Sequence, residues 1–175
     1  MTDADARDRV VYAGRILTLR LTYVVAADGR RHLREIVEHL PGAAAVAVDE
    51  FGQVLLVRQS RPAVGAAVLE LPAGLIDPGE APIDAARREL EEETGFRAEQ
   101  IEPLVSFYTS PGFTDELIHI FLATSLVATA VRHDDEEEIE IVRMPLADAL
   151  AQVTTHEISD AKTVAGLLAY AQRLG

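Results

Sequence analysis

The chain has no cysteine and no tryptophan among its 175 residues. Lack of cysteine excludes disulfides and thiolate metal sites, and it fits a cytoplasmic protein. There is no apolar run of about 18 residues, so no transmembrane helix is expected. The first eight residues, Met1-Thr2-Asp3-Ala4-Asp5-Ala6-Arg7-Asp8, are acidic and carry no apolar stretch, so no secretory signal is expected. Cations are scarce: 16 lysines and arginines stand against 29 aspartates and glutamates, for a net charge of −13. A surface of that sign repels phosphate backbones, so no nucleic-acid partner is expected. A small anionic substrate would need local arginines and metal cations. No internal repeat and no low-complexity linker is visible. What the chain does have is a hydrophobic content of 49%, ample for a core, at the length of one domain.

Local patterns outline the elements. Residues 10–25 alternate loosely and predict one or two strands. Ala26-Ala27-Asp28-Gly29-Arg30 carries an Asp-Gly hairpin signal, and 32–38 returns as a strand. After Pro41-Gly42 come strands at 43–48 and 53–59, joined by a turn at 49–52. A short strand at 68–71 leads into Pro72-Ala73-Gly74. Further strands are expected at 102–108, 117–126 and 139–144, with an acidic loop at 134–138 and a short helix at 146–153. Ser159 or Asp160 caps a last helix running to about Leu174, with Val164, Leu167, Leu168 and Ala171 inward. The clearest helix is 82–94. Pro82 suits a first turn that needs no N–H, and Gly95 suits the position just past the end. Ile83, Ala86 and Leu90 form its buried stripe. This order predicts an α/β sandwich with a mixed sheet, preceded by an antiparallel N-terminal hairpin region, dividing the chain at 1–40 and 41–175.

The most informative stretch is 74–96, which reads Gly-Leu-Ile-Asp-Pro-Gly-Glu, seven residues, then Arg-Glu-Leu-Glu-Glu-Glu-Thr-Gly-Phe. Five glutamates fall within these 23 residues. Glu89, Glu92 and Glu93 stand at i, i+3 and i+4, so their carboxylates share a helical flank beside the buried stripe. Like charges so placed repel by roughly a few tenths of a kcal/mol per pair, which cations relieve. Oxygen-only ligands favour Mg²⁺ or Mn²⁺ over zinc.

The segment fits Gly-x5-Glu-x7-Arg-Glu-apolar-x-Glu-Glu-x-Gly-apolar at every position and resembles the Nudix box, the signature of the Nudix hydrolases. At average residue usage such a match arises by chance on the order of 10⁻⁷ times in a chain of this length. The likeness extends over about residues 34–168. It implies a Nudix-type α/β/α sandwich and hydrolysis of a diphosphate by water with divalent metal. It assigns metal binding to Glu89, Glu92, Glu93 and the carbonyl of Ala73, with Glu93 also catalytic. Glu80 and Arg88 would hold the loop to the helix, and Gly74 and Gly79 would permit turns that a Cβ hinders.

Two flanking stretches resemble the ADP-ribose pyrophosphatase branch. One is Val57-Arg58-Gln59-Ser60-Arg61 with Leu69-Glu70-Leu71-Pro72-Ala73-Gly74; the other is Ser110-Pro111-Gly112-Phe113-Thr114-Asp115-Glu116. Pro111 lies 16 residues after Gly95, a mark of that branch. The resemblance implies cleavage of ADP-ribose to AMP and ribose 5-phosphate, with other nucleoside diphosphate sugars or dinucleotides as the alternative. It assigns Arg61 to phosphate, Ser110, the Gly112 backbone and Glu116 to the terminal ribose, and the Leu75 backbone to substrate. Ile16, Leu17, Arg34 and Glu35 match the base pocket, where Ile16 replaces an aromatic ring. The catalytic acid falls in the loop 134–138: Glu137 by register, with Glu136 or Glu138 one residue away. His39 reads as structural, and His32, His119, His133 and His156 show no ligand spacing. The first hairpin looks too small and exposed to fold alone, and the resemblance to the branch implies that it pairs with a second copy in a two-fold homodimer.

Overall fold

The computed structural model describes residues 8–129 and 139–175. The chain forms two compact units. The smaller comprises the chain up to Pro41 together with Tyr108–Leu117. Strands β1 (Arg9–Ala13), β2 (Leu17–Val25) and β3 (Arg31–His39) form its antiparallel sheet in that order. The stretch 10–25 is thus mostly two strands. β2 and β3 pair without interruption from Leu17 opposite His39 to Val25 opposite Arg31. Their turn is closed by Ala26 N–H donating to the Arg30 carbonyl at 2.8 Å. The segment 108–117 joins this unit through backbone pairing with β3. Val37 N–H donates to the Phe113 carbonyl at 2.7 Å, and His39 N–H donates to Asp115 Oδ1 at 2.8 Å. Nothing local in 108–117 signals this pairing with a strand some 76 residues away.

The larger unit holds Gly42–Phe107 and Ile118–Gly175. Its strands are β4 (Gly42–Val48), β5 (Gln53–Arg61), β6 (Ala66–Glu70), β7 (Ala73–Leu75), β8 (Phe96–Tyr108), β9 (Leu117–Ala128) and β10 (Glu140–Pro145). Its helices are α1 (Pro82–Thr94), α2 (Leu146–Thr154) and α3 (Ala161–Leu174). The sheet runs β10-β5-β4-β9-β8, with β6 added to β5 and β7 to β4. β4 pairs parallel to β9 and antiparallel to β5, so the sheet is mixed. Every residue of β4 is buried, as its unbroken apolar run Ala43–Val48 requires of a strand covered on both faces. Alternate residues serve opposite layers. Ala44, Val46 and Val48 pack with Ala149, Ile158 and Leu167 of the α2–α3 side. Ala45 and Ala47 pack with Leu90, and Ala43 with Ala85 and Ala86, all from α1. The result is the expected α/β/α sandwich.

α1 spans the predicted residues and ends as Gly95 N–H donates to the Glu91 carbonyl at 2.9 Å. Ile83 is only partly buried, while Ala85, Ala86 and Leu90 are fully so. In α3 the expected inward face is rotated: Leu168 is 52% exposed, whereas Thr163, Gly166 and Leu167 are buried. A Cβ on Gly166 would meet Leu71 Cδ1 at 2.7 Å, so α3 lies too close to the sheet for a larger residue there.

Candidate active site

The Nudix-like segment wraps from β7 into α1. β7 pairs antiparallel with β4, placing Ala73 opposite Ala44 and Gly74 opposite Ala43. The three candidate ligands on α1, Glu89, Glu92 and Glu93, are graded in burial rather than equivalent. Glu93 continues the stripe of Ala86 and Leu90 at i+7 and i+3 and is 8% exposed. Its Oε2 accepts the Ala73 N–H at 3.0 Å. Burial pushes its carboxyl up to about 8, against the pull of that hydrogen bond. The Glu89 side chain, 15% exposed, lies directly on Gly74, where a Cβ would fall on its carboxylate. Burial raises the Glu89 carboxyl too, against the attraction of Arg88. Glu92 is the most exposed of the three.

Arg88 organises the loop. Its Nε and Nη2 donate to the two oxygens of Glu80 at 3.0 and 2.9 Å, and Nη2 also donates to the Leu75 carbonyl at 3.0 Å. Glu80 in turn accepts the Asp77 N–H at 3.0 Å, and Gly79 turns the chain between them at φ +86°. The fork depresses the Glu80 carboxyl. Arg88 Nη1 reaches Glu89 at 2.6 Å and Glu92 at 3.2 Å. Among the described residues no three His, Asp or Glu side chains are already gathered as a cation cage. The donors nevertheless fit a hard divalent ion: two carboxylates whose ionisation burial opposes, a third more open, and only oxygen atoms.

Arg61 is held by Glu70, through Nε at 2.7 Å and Nη2 at 3.0 Å. Glu70 also pairs with Lys162 of α3. No periodicity links Glu70 to Lys162 or Leu71 to Thr163, each 92 positions apart, whereas Glu70 lies only nine residues from Arg61. The only local signal was the Leu69-Glu70-Leu71-Pro72-Ala73-Gly74 stretch.

In the smaller unit, Ser110 and Gly112 share one turn, and Glu116 follows it. The Phe113 and Thr114 N–H groups both donate to the Ser110 carbonyl at 3.0 Å. Glu116 accepts Thr109 Oγ1 at 2.6 Å and lies 3.3 Å from His39 Nδ1. Ile16 sits between β1 and β2, and its carbonyl accepts the Leu40 N–H. Leu17 opens β2 opposite His39, while Arg34 and Glu35 are exposed on β3 opposite Thr22 and Leu21. Glu136, Glu137 and Glu138 lie outside the described residues. A cavity of about 450 Å³ in the larger unit, lined by Asp49, Phe51, Phe96, Ser125 and Arg143 among others, includes none of the predicted site residues.

The sequence model of the NUDIX domain matches residues 38–167. The chain is 41% identical over 156 residues to the ADP-ribose pyrophosphatase of Bacillus subtilis (strain 168), covering 87% of this chain and 84% of that one. It is 35% identical over 171 residues to the GDP-mannose pyrophosphatase of Cronobacter sakazakii, covering 90% and 89%. A solved structure described as an ADP compounds hydrolase superposes with a TM-score of 0.86 at 25% identity, covering 96% of this chain and 91% of that one.

Proposed function

Since this chain belongs to the NUDIX domain family and is a Nudix pyrophosphatase, we propose that it splits ADP-ribose into AMP and ribose 5-phosphate with Mg²⁺, or Mn²⁺, as cofactor. The observation that carries the reading is the Glu89–Glu93 pair set against Ala73 and Gly74. When bound there, a divalent cation would screen the diphosphate and ease deprotonation of the attacking water. Glu89, Glu92, Glu93 and the Ala73 carbonyl would hold it. Arg61 offers a planar fork to a phosphate, and the Leu75 backbone follows the box glycine toward substrate. Ser110, the Gly112 backbone and Glu116 supply polar partners for a ribose. Ile16, Leu17, Arg34 and Glu35 form the base-recognition set, in a strand region (residues 1–40) exchanged within a homodimer. Glu137, or its neighbour Glu136 or Glu138, is the acid that activates the water.

A second reading is favoured by the GDP-mannose pyrophosphatase relatives: another nucleoside diphosphate sugar as preferred substrate. A panel of ADP-ribose, ADP-glucose, GDP-mannose and a dinucleotide, assayed with Mg²⁺, separates the two. The highest kcat/KM is expected on ADP-ribose; a higher value on GDP-mannose would reverse the order.

A further inference from the structure

Asp160-Ala161-Lys162-Thr163 opens α3, and three of its four side chains are engaged within one turn. Asp160 Oδ2 accepts from Thr163 N–H at 2.9 Å, Thr163 Oγ1 at 2.6 Å and Lys162 Nζ at 3.0 Å. Thr163 Oγ1, fully buried, accepts the Leu71 N–H at 2.8 Å. Lys162 Nζ also reaches Glu70, the residue that grips Arg61 with both oxygens. The Glu70 side chain is 4% exposed and that of Lys162 is 13% exposed.

An arginine–carboxylate fork taken alone sums to zero charge and offers little to an anion. A second cation on the same carboxylate changes this. Glu70 still fixes the plane of the guanidinium, but its negative charge is divided between two partners. Asp160 Oδ2 is met by one backbone N–H, that of Thr163, by Thr163 Oγ1 and by Lys162 Nζ, so Lys162 ties Glu70 to the capped start of α3. We propose that Lys162 is a positioning residue for the hydrolysis: by pinning Glu70 to the start of α3, it keeps the Arg61 guanidinium fixed in the orientation that meets the diphosphate of the substrate. The inference rests on the reading of Arg61 as a phosphate-binding residue.

If the cluster only fastened α3 to β6, its loss would lower Tm and leave kinetics alone. Positioning instead moves KM. The test uses the full chain with Mg²⁺ and both ADP-ribose and GDP-mannose, whose shared diphosphate makes the effect common to the two. Steady-state kinetics compare Lys162→Met, Lys162→Arg, Arg61→Ala and the Lys162→Met/Arg61→Ala double variant. Lys162→Met is expected to raise KM about tenfold with kcat within about threefold, the size of one charge-assisted contact. Lys162→Arg restores KM, and the double variant has the KM of Arg61→Ala alone, because the lysine acts through the arginine. Lys162→Gln carries the same test should Lys162→Met fail to fold. Unchanged KM in Lys162→Met beside a raised KM in Arg61→Ala overturns this inference alone, as does full additivity in the double variant. Unchanged KM in Arg61→Ala overturns the reading of Arg61, and the inference with it.

Discussion

Replacing Glu70 by Gln keeps the shape of the side chain and removes one negative charge from a buried cluster. Arg61 loses its fork and Lys162 loses one of its two carboxylates. Removing one partner of a buried ion pair costs roughly 3–5 kcal/mol. Here the Arg61 side chain is 39% exposed and can turn to water, while Lys162 keeps Asp160. The loss therefore sits at the low end, about 3 kcal/mol. For a domain of this size that corresponds to a Tm fall of roughly 6–12 °C. The pH dependence has a definite sign. Burial opposes ionisation of Glu70, but Arg61 and Lys162 together hold its carboxyl below the ordinary 4.5. A carboxyl depressed by folding contributes stability that is present above its unfolded pKa and lost as pH falls through the folded value. The gap between wild type and Glu70→Gln is thus full at neutral pH and closes below about 4.5. Thermal melts followed by circular dichroism across that range decide it. A gap under about 2 °C at neutral pH, less than 1 kcal/mol for this size, or one that widens on acidification, refutes the reasoning.

Three further variants probe the site. Glu93→Gln keeps an acceptor for the Ala73 N–H and should fold, yet lower kcat by roughly a hundredfold or more; near-normal turnover would remove Glu93 from the mechanism. Gly74→Ala drives a Cβ onto the Glu89 carboxylate, and a displacement on that scale should reduce kcat/KM roughly a hundredfold; unchanged kcat/KM would mean that the placement of Glu89 is immaterial. Asp160→Ala removes the α3 cap and one carboxylate of Lys162, with an expected loss of at least about 1 kcal/mol from the cap alone, visible as a Tm fall of at least roughly 2–4 °C; a Tm equal to wild type would deny the cap any weight.

The sequence revealed most where local chemistry decides structure. α1 was readable to the residue because Pro82 and Gly95 punctuate it and Leu90 anchors its stripe. β4 was readable because an unbroken apolar run fits only a strand covered on both faces. β7 was not anticipated: Ala73–Leu75 follows a proline and looks like loop, and it is a strand only because β4 lies beside it. β8 begins at Phe96, six residues before its expected start, again through its sheet neighbour. The face of α3 differs from the expected one because side-chain size and apolarity alone point Leu168 inward. Thr163 and Gly166 turn in instead, one to bond Leu71 and the other to admit close packing. The spacing of Glu89, Glu92 and Glu93 sets them together on a flank beside the buried stripe, whereas the phase of the helix puts Glu93 inside and leaves Glu92 outside. Lys162 and Thr163 stayed invisible for the same reason as β7: they meet Glu70 and Leu71 from 92 residues away.

The most direct test of the central claim is a calorimetric titration of Mg²⁺ and Mn²⁺ into chelator-treated protein, with ADP-ribose cleavage followed in parallel. Saturable uptake, cleavage that appears only with metal, and weakening of both in Glu93→Gln are expected. Full-rate cleavage by the metal-stripped protein, or no uptake and no cleavage at any metal concentration, would contradict it.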